Sequence, residues 1–236
     1  MKLQKETISG RSGEGRVHGK WYDDACGAAF GMELIGERWS IPVIRELMLG
    51  GRRFRDIRTS LPGLSAKTLT ERLEGLEALG IVRRTIVPPP VSVQVYELTR
   101  WGLALEPTLQ ELGRWAVRST LHDPALPLTP VSLMLSMRTM FDGREAQGLE
   151  LWIAFDVGDA RFAGRLRDGE LAIHPAGEGF ATPDLRFKAA TANAYLPVFY
   201  GKKTPQEAGG QLTIEGDPEL ARRFLDLFVL PPKCTD

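Results

Sequence analysis

The sequence predicts an α+β chain in two parts: a helical first half that carries a β-hairpin, and a small α/β second half with a mostly antiparallel sheet. Three observations predict it. Leu69, Leu73, Leu76 and Leu79 recur at helical spacing between Ser65 and Gly80, the bracket of a capped amphipathic helix. Two β-rich runs, 81–87 and 91–98, flank Pro88-Pro89-Pro90, a hairpin whose tip cannot extend into sheet because proline has no N–H. Beyond residue 129 further β-rich runs follow, two of them joined by Asp168-Gly169, a two-residue hairpin signal.

Taken in order, residues 1–22 are polar and glycine-rich and read as a flexible arm. A first helix is expected over 24–37, with Ala25, Ala28, Ala29, Met32, Leu34 and Ile35 as its apolar positions. A second is expected over 41–49, capped by Ser40, with Pro42 tolerated in its first turn and Gly50-Gly51 ending it. A short third helix holds Phe54, Ile57 and Leu61 before Pro62-Gly63 breaks the chain. Ser65 caps the fourth, whose face opposite the leucines carries Lys67, Thr70, Glu71 and Glu74, with Thr68 and Arg72 on the flanks. After the hairpin, Thr99 opens an amphipathic helix to about residue 118, with Trp101, Leu105, Leu109, Leu112 and Trp115 at helical spacing.

Residues 122–129, with Pro124 and Pro127, read as a linker. Thr129-Pro130 is an N-cap followed by proline at the first helical position, which starts a helix to Phe141. Strands are expected at 149–157, 161–167, 170–174 and 184–188, then a helix over 190–200. Thr204-Pro205-Gln206-Glu207 is a capping box opening a short helix, 211–215 is a last strand, and Asp217 caps a final helix with Leu220, Phe224, Leu225 and Phe228. The expected organisation is therefore an arm at 1–22, a first domain at 23–121, a linker at 122–129, a second domain at 130–230 and a tail at 231–236.

Composition is that of a globular protein, 43% hydrophobic and 25% charged. No apolar run approaches the ~20 residues of a membrane span, and the N-terminus lacks the apolar core of a signal peptide. Two cysteines, Cys26 and Cys234, make no disulfide framework, so a cytoplasmic protein without a membrane partner is expected. The formal charge of zero conceals an asymmetry: residues 1–122 hold 18 Lys/Arg against 14 Asp/Glu, and the remainder 12 against 16. The excess concentrates at 52–84, 8 against 4, a patch suited to phosphate contact, whereas the second half shows no basic cluster along its sequence. His18, His122 and His174 are scattered, so no metal site is expected. No nucleophile elbow, zinc-protease helix or phosphate loop is present, and the glycines at 10, 13, 15 and 19 follow no strand. Neither an enzyme nor a cofactor is expected.

Three helices, a glycine-punctuated turn, a longer helix and a proline-tipped hairpin are the order of a winged helix-turn-helix domain. The leucine stripe would anchor the fourth helix on the core and leave Lys67, Thr68 and Thr70 to meet base edges in double-stranded DNA. Arg52, Arg53, Arg55 and Arg58 precede that helix, and Arg83 and Arg84 lie at the base of the wing, where phosphates would pass. The same topology also serves helical protein–protein modules, and order alone leaves that alternative open. Trp101, Leu105, Leu109, Leu112 and Trp115 are more apolar surface than one short helix can hide, which predicts a two-fold homodimer.

The run from Cys26 to Ala116, with Trp39, Gly51-Arg52-Arg53-Phe54, Leu61-Pro62-Gly63 and Tyr96-Glu97-Leu98-Thr99, resembles the HxlR family of bacterial regulators, relatives of the MarR group. The resemblance implies a homodimer on a pseudo-palindromic operator, with Ser65, Lys67, Thr68, Thr70 and Arg72 in recognition-helix roles and Arg52 and Arg53 on the backbone. Gly27 departs from the proline that often follows this cysteine. The resemblance also implies that Cys26 could sense oxidants or electrophiles. That needs a thiolate, which Asp23 and Asp24 oppose, and the alternative is an inert, partly buried thiol. The second half resembles the sterol carrier protein type 2-like domain through 161–169 and 212–217 with the helix that follows. That fold implies an apolar cavity for a hydrophobic effector, lined by Met134, Met137, Met140, Phe141, Trp152, Phe155, Phe187, Tyr195, Phe199 and Phe228, residues that serve equally as plain core. A lipid carrier or adaptor without DNA binding is the remaining alternative.

Overall fold

The computed structural model describes residues 22, 24–87, 92–177 and 182–235. The expected arm, apart from Tyr22, and the triple-proline tip of the hairpin lie outside the described residues. Helices α1 (Gly27–Ile35), α2 (Ser40–Leu47), α3 (Phe54–Ser60) and α4 (Ala66–Ala78) precede an antiparallel hairpin of β1 (Val82–Val87) and β2 (Val93–Leu98), in which Val82 faces Leu98. Two further helices, α5 (Arg100–Leu103) and α6 (Glu106–Ala116), complete the first half. Leu69, Leu73 and Leu76 are at most 1% exposed and seat α4 on Val43, Ile44 and Ile57, each fully buried. Leu79 is the exception, half-buried at the helix C-cap just before Gly80, whose φ of 72° only glycine adopts freely.

Local expectations fail here at two points. The N-cap of α2 is Trp39, at φ 78°, and Ser40 is the buried first residue of the helix instead of its cap. The expected helix from Thr99 breaks into α5 and α6 because Pro107, within the first turn of α6, lacks an N–H and would clash with the carbonyl of the preceding turn. Thr99 does cap α5, accepting the Gly102 N–H at 3.1 Å.

The second half opens with α7 (Pro130–Met140), where Thr129 Oγ1 accepts the Ser132 N–H at 3.0 Å. A five-stranded sheet follows: β3 (Leu151–Val157), β4 (Ala160–Arg167), β5 (Glu170–Pro175), β6 (Leu185–Ala189) and β7 (Leu212–Gly216), in the order β5-β4-β3-β6-β7. Only β3 and β6 run parallel. Asp168 and Gly169, at φ 52° and 76°, make the tight turn that the sequence signals. The expected helix over 190–200 is a 3-10 turn (Ala192–Tyr195) running into the single-turn α8 (Leu196–Phe199). The capping box at Thr204 does form, with Thr204 N–H and Glu207 N–H each bonded to the other side chain, but Gly209 and Gly210 at positive φ stop any helix from propagating. Asp217 caps α9 (Pro218–Asp226) by accepting the Leu220 N–H at 2.8 Å.

α7, α8 and α9 help build one hydrophobic core with the inner face of this sheet. The outer face alternates with it and shows what the linear charge count missed. Register places Trp152 opposite Arg165, and Asp156 between Arg161 and Lys188; Arg186 stands beside them. Four cations thus share this face with Asp156 and Glu215, both of which pair with Arg186. The two halves are joined by α7, which packs against α2 and α6. Leu49 contributes to the second core and Leu135 packs on the first. Arg138 pairs with Glu106 at 2.9 Å, Arg114 Nε donates to Thr139 O at 2.8 Å, and the tail returns to α6 through Lys233, which donates to the carbonyls of Val117 and Ser119.

Candidate nucleic-acid interface

The N-terminal half of α4 presents the polar face. Ser65 Oγ accepts the Thr68 N–H at 3.0 Å and lies 2.9 Å from Thr68 Oγ1, so both hydroxyls are engaged in capping the helix. Thr70 Oγ1 donates back to Ala66 O at 3.1 Å. Lys67 is 88% exposed and only loosely paired with Glu71 at 4.0 Å. Glu71 and Glu74 lie exposed further along the same face. Their charge opposes phosphate, so this helix is suited to enter a groove by its first two turns, with Lys67 and Thr70 leading.

The arginines divide by what they hold. Arg53, Arg55 and Arg58 are exposed on α3 and its N-cap and carry no ion pair among the described residues. Arg52, beside Arg53 in sequence, pairs with the enclosed Glu46 and donates to Ser60 Oγ at 2.8 Å. It is a tie-rod between α2 and α3 and not a free phosphate ligand. Arg72, expected on the flank of the reading face, is 16% exposed and paired with Glu37, which removes it from that face. On the wing, Arg83 pairs with Glu97 at 2.8 Å, and Arg84 pairs with Glu77 at 2.6 Å over the Tyr96 ring. The hydroxyl of Thr85 and the Arg83 guanidinium hold the Glu97 carboxyl below its ordinary pKa. Such exposed pairs are weak and exchange readily for a phosphate.

Glu46, the enclosed partner of Arg52, is a residue that composition and charge did not single out. Its signal was present: it stands on α2 next to Leu47 and three residues after Val43, both buried, a carboxylate on an apolar face.

The expected apolar stripe is divided between α5, which holds Trp101, and α6 with its N-cap Leu105. Leu105 and Leu109 pack on the first core, while Trp101, Leu112 and Trp115 are 53%, 42% and 72% exposed. Cys26 is exposed, not partly buried, at the start of α1. Its thiol faces the N–H groups of Ala29 and Ala28, which hold its pKa below the ordinary value, although no cap bond of normal geometry closes. Asp24 accepts the Cys26 N–H at 2.9 Å; Asp23 lies outside the described residues.

In the second half, Met134, Met137, Met140, Phe155, Phe187, Tyr195, Phe199 and Phe228 are buried and Phe141 partly so. Their rings fill the interior, with Phe187–Phe199 and Phe199–Phe228 centroids 5.0 and 5.1 Å apart. Trp152 is not interior: it faces solvent on the outer sheet face, with the Arg165 guanidinium 4.8 Å from its ring centre. An open cleft of about 410 Å³ lies elsewhere, lined by Leu128, Pro130, Val157, Ala160, Ala190 and Ala192 with Asp159 and Thr191 at its polar margin. Among the described residues no group of His, Cys, Asp or Glu is arranged to hold a metal, and no helix is long and apolar enough to cross a membrane.

A family model described as HxlR-like helix-turn-helix matches residues 34–123, and the second half falls outside that match. Over 86 residues the chain is 40% identical to the uncharacterized HTH-type transcriptional regulator YvaP of Bacillus subtilis (strain 168), covering 36% of this chain and 79% of that protein. It is 44% identical over 84 residues to the HTH-type transcriptional regulator YodB of the same organism, covering 35% and 74%. The solved reduced form of YodB from B. subtilis aligns with 42% of this chain and 100% of its own, at 35% identity and a TM-score of 0.38.

Proposed function

This chain belongs to the HxlR-like helix-turn-helix family of transcriptional regulators, and from that premise we propose that it binds a pseudo-palindromic operator as a homodimer and answers to a hydrophobic small molecule. It is a regulator and not an enzyme. The observation that carries the DNA-binding reading is the face of α4. Lys67 and Thr70 project from a helix whose opposite side is buried at Leu69, Leu73 and Leu76, beside three arginines on α3 and its cap that carry no ion pair among the described residues. The exposed Trp101 of α5 and Leu112 and Trp115 of α6 support pairing through these helices, since exposed apolar side chains of this kind suit an interface. Two-fold pairing would set the recognition helices about 34 Å apart, one turn of DNA. Selection of duplexes from a random pool tests this: a two-fold motif is expected, and no enrichment even at low salt would sink it.

The sterol-carrier-like reading of the second half rests on the succession of its helices and strands and on the runs 161–169 and 212–217 with the helix that follows. In it, the ring cluster is core and the effector enters the cleft at Leu128 and Pro130, apolar apart from Asp159 and Thr191. A ligand bound there raises thermal stability, and Ala160→Trp, which fills the cleft, abolishes the rise. A second reading, sensing through Cys26, is favoured by the exposed thiol whose anion the start of α1 stabilises. Alkylation of Cys26 without any change in operator affinity would exclude it.

A further inference from the structure

The Glu46 side chain is fully enclosed. A carboxylate taken out of water is strongly unfavourable unless donors and opposite charge surround it. Here the Arg52 guanidinium, Arg45 at 3.2 Å and the Thr129 hydroxyl at 2.7 Å do so. The first two come from α2 and the turn after it. Thr129 comes from the second half of the chain, 83 residues away, where it also caps α7. A hydroxyl has one proton, and the ionised Glu46 is a stronger acceptor than the Ser132 hydroxyl 2.9 Å from Thr129 Oγ1. Thr129 therefore donates to Glu46 and accepts the Ser132 N–H.

What Glu46 holds matters for the winged helix. Arg52 donates to Ser60 at the end of α3, and its backbone N–H and C=O bond with Tyr96 of β2 at 2.9 and 2.8 Å. One arginine thus fastens the α2–α3 elbow to the wing, and one carboxylate orients that arginine. The other polar contacts of α7 described above, Arg138 with Glu106 and Arg114 with Thr139, reach α6 and not the elbow.

We propose that Glu46 is a positioning residue through which the second half of the chain sets the geometry of the DNA-binding elements: docked α7 supplies the Thr129 hydroxyl, and its withdrawal loosens Arg52, α3 and the wing. The functional consequence rests on the DNA-binding reading above. Leu128 and Pro130, on either side of Thr129, line the cleft, so an occupant there bears directly on this contact.

The test uses the full chain and three variants, Thr129→Val, Thr129→Ser and Glu46→Gln, with two readouts. Hydrogen exchange at the amides of Arg52 and Tyr96 reports the elbow without DNA; affinity for a duplex selected by the wild-type protein reports function. Thr129→Val is expected to speed both amides about tenfold and to weaken duplex binding severalfold, and Thr129→Ser, which keeps hydroxyl and cap, to restore both. In the Glu46→Gln background the added effect of Thr129→Val shrinks below half, because the coupling runs through the carboxylate. If Thr129 only caps α7, exchange rises at Ser132, whose N–H its hydroxyl accepts, while Arg52 and Tyr96 stay unchanged, and the proposal is overturned; additive effects overturn it too. Failure of the wild type to select any duplex would instead refute DNA binding, and the exchange result would still decide the coupling.

Discussion

Arg52 and Arg53 are neighbours of identical chemistry that the structure assigns to opposite tasks, so replacing each with alanine should move different observables. Arg52→Ala removes the principal counter-charge of a carboxylate with no exposed side-chain surface. Breaking a buried pair typically destabilises by ~3–5 kcal/mol. Arg52 itself keeps 25% of its side chain exposed, which places the expectation near the lower end, about 3 kcal/mol. At a urea slope of about 2–3 kcal/mol/M, the midpoint falls by roughly 1–1.5 M. Arg53→Ala removes an exposed side chain with no ion pair among the described residues, so its unfolding free energy stays within about 0.5 kcal/mol of wild type. If Arg53 contacts phosphate as proposed, its loss should appear in DNA binding, where the slope of log K against log salt is expected to drop by about 0.9. Urea denaturation followed by circular dichroism, and anisotropy titrations from 50 to 200 mM salt, read the two effects separately. Equal destabilisation by the two variants, or an unchanged salt slope for Arg53→Ala, would refute the division of labour.

Replacing Lys67 or Thr70 with alanine should reduce affinity for a selected duplex by about 1–3 kcal/mol while scarcely changing affinity for shuffled sequence; equal losses on both would remove α4 from base reading. Trp115→Glu, at a position 72% exposed, should convert a dimer to a monomer in sedimentation without lowering the urea midpoint, and a wild-type monomer at micromolar concentration would contradict the α6 interface. Because the start of α1 lowers the Cys26 pKa, its thiolate forms earlier as pH rises than in the unfolded chain. Its alkylation rate should reach half-maximum at a lower pH in the folded protein than in the urea-unfolded chain, and an equal or higher midpoint would show the thiol to be unactivated.

The parts of this fold legible in the sequence are those that short-range rules determine. Ser65, Thr129 and Asp217 cap α4, α7 and α9 because a side-chain oxygen three residues before an orphan N–H needs no tertiary help. Asp168-Gly169 turns the chain for an equally local reason. Segments that depend on distant partners were not legible. A count of arginines at 52–84 cannot separate Arg53 from Arg52, since the difference is an enclosed Glu46 completed by Thr129 far along the chain. Likewise Arg161, Arg165, Arg186 and Lys188 are dispersed in sequence and come to share one sheet face with Asp156 only because β3 sits between β4 and β6, an order no local pattern encodes. Pro107 was visible, and its power to split the helix after Thr99 follows from the N–H it lacks.

The central claim is that α4 lies in the groove of a two-fold DNA site with Thr70 at the bases. The most direct measurement tethers an iron chelate to a cysteine introduced as Thr70→Cys, in a background where Cys26 and Cys234 are serine, and maps the DNA cleaved by the radicals it generates. The account predicts two cleavage centres on the selected duplex, about 10 base pairs apart, each within a half-site. Cleavage spread evenly along the duplex, or none at all on DNA that the protein demonstrably binds, would contradict it.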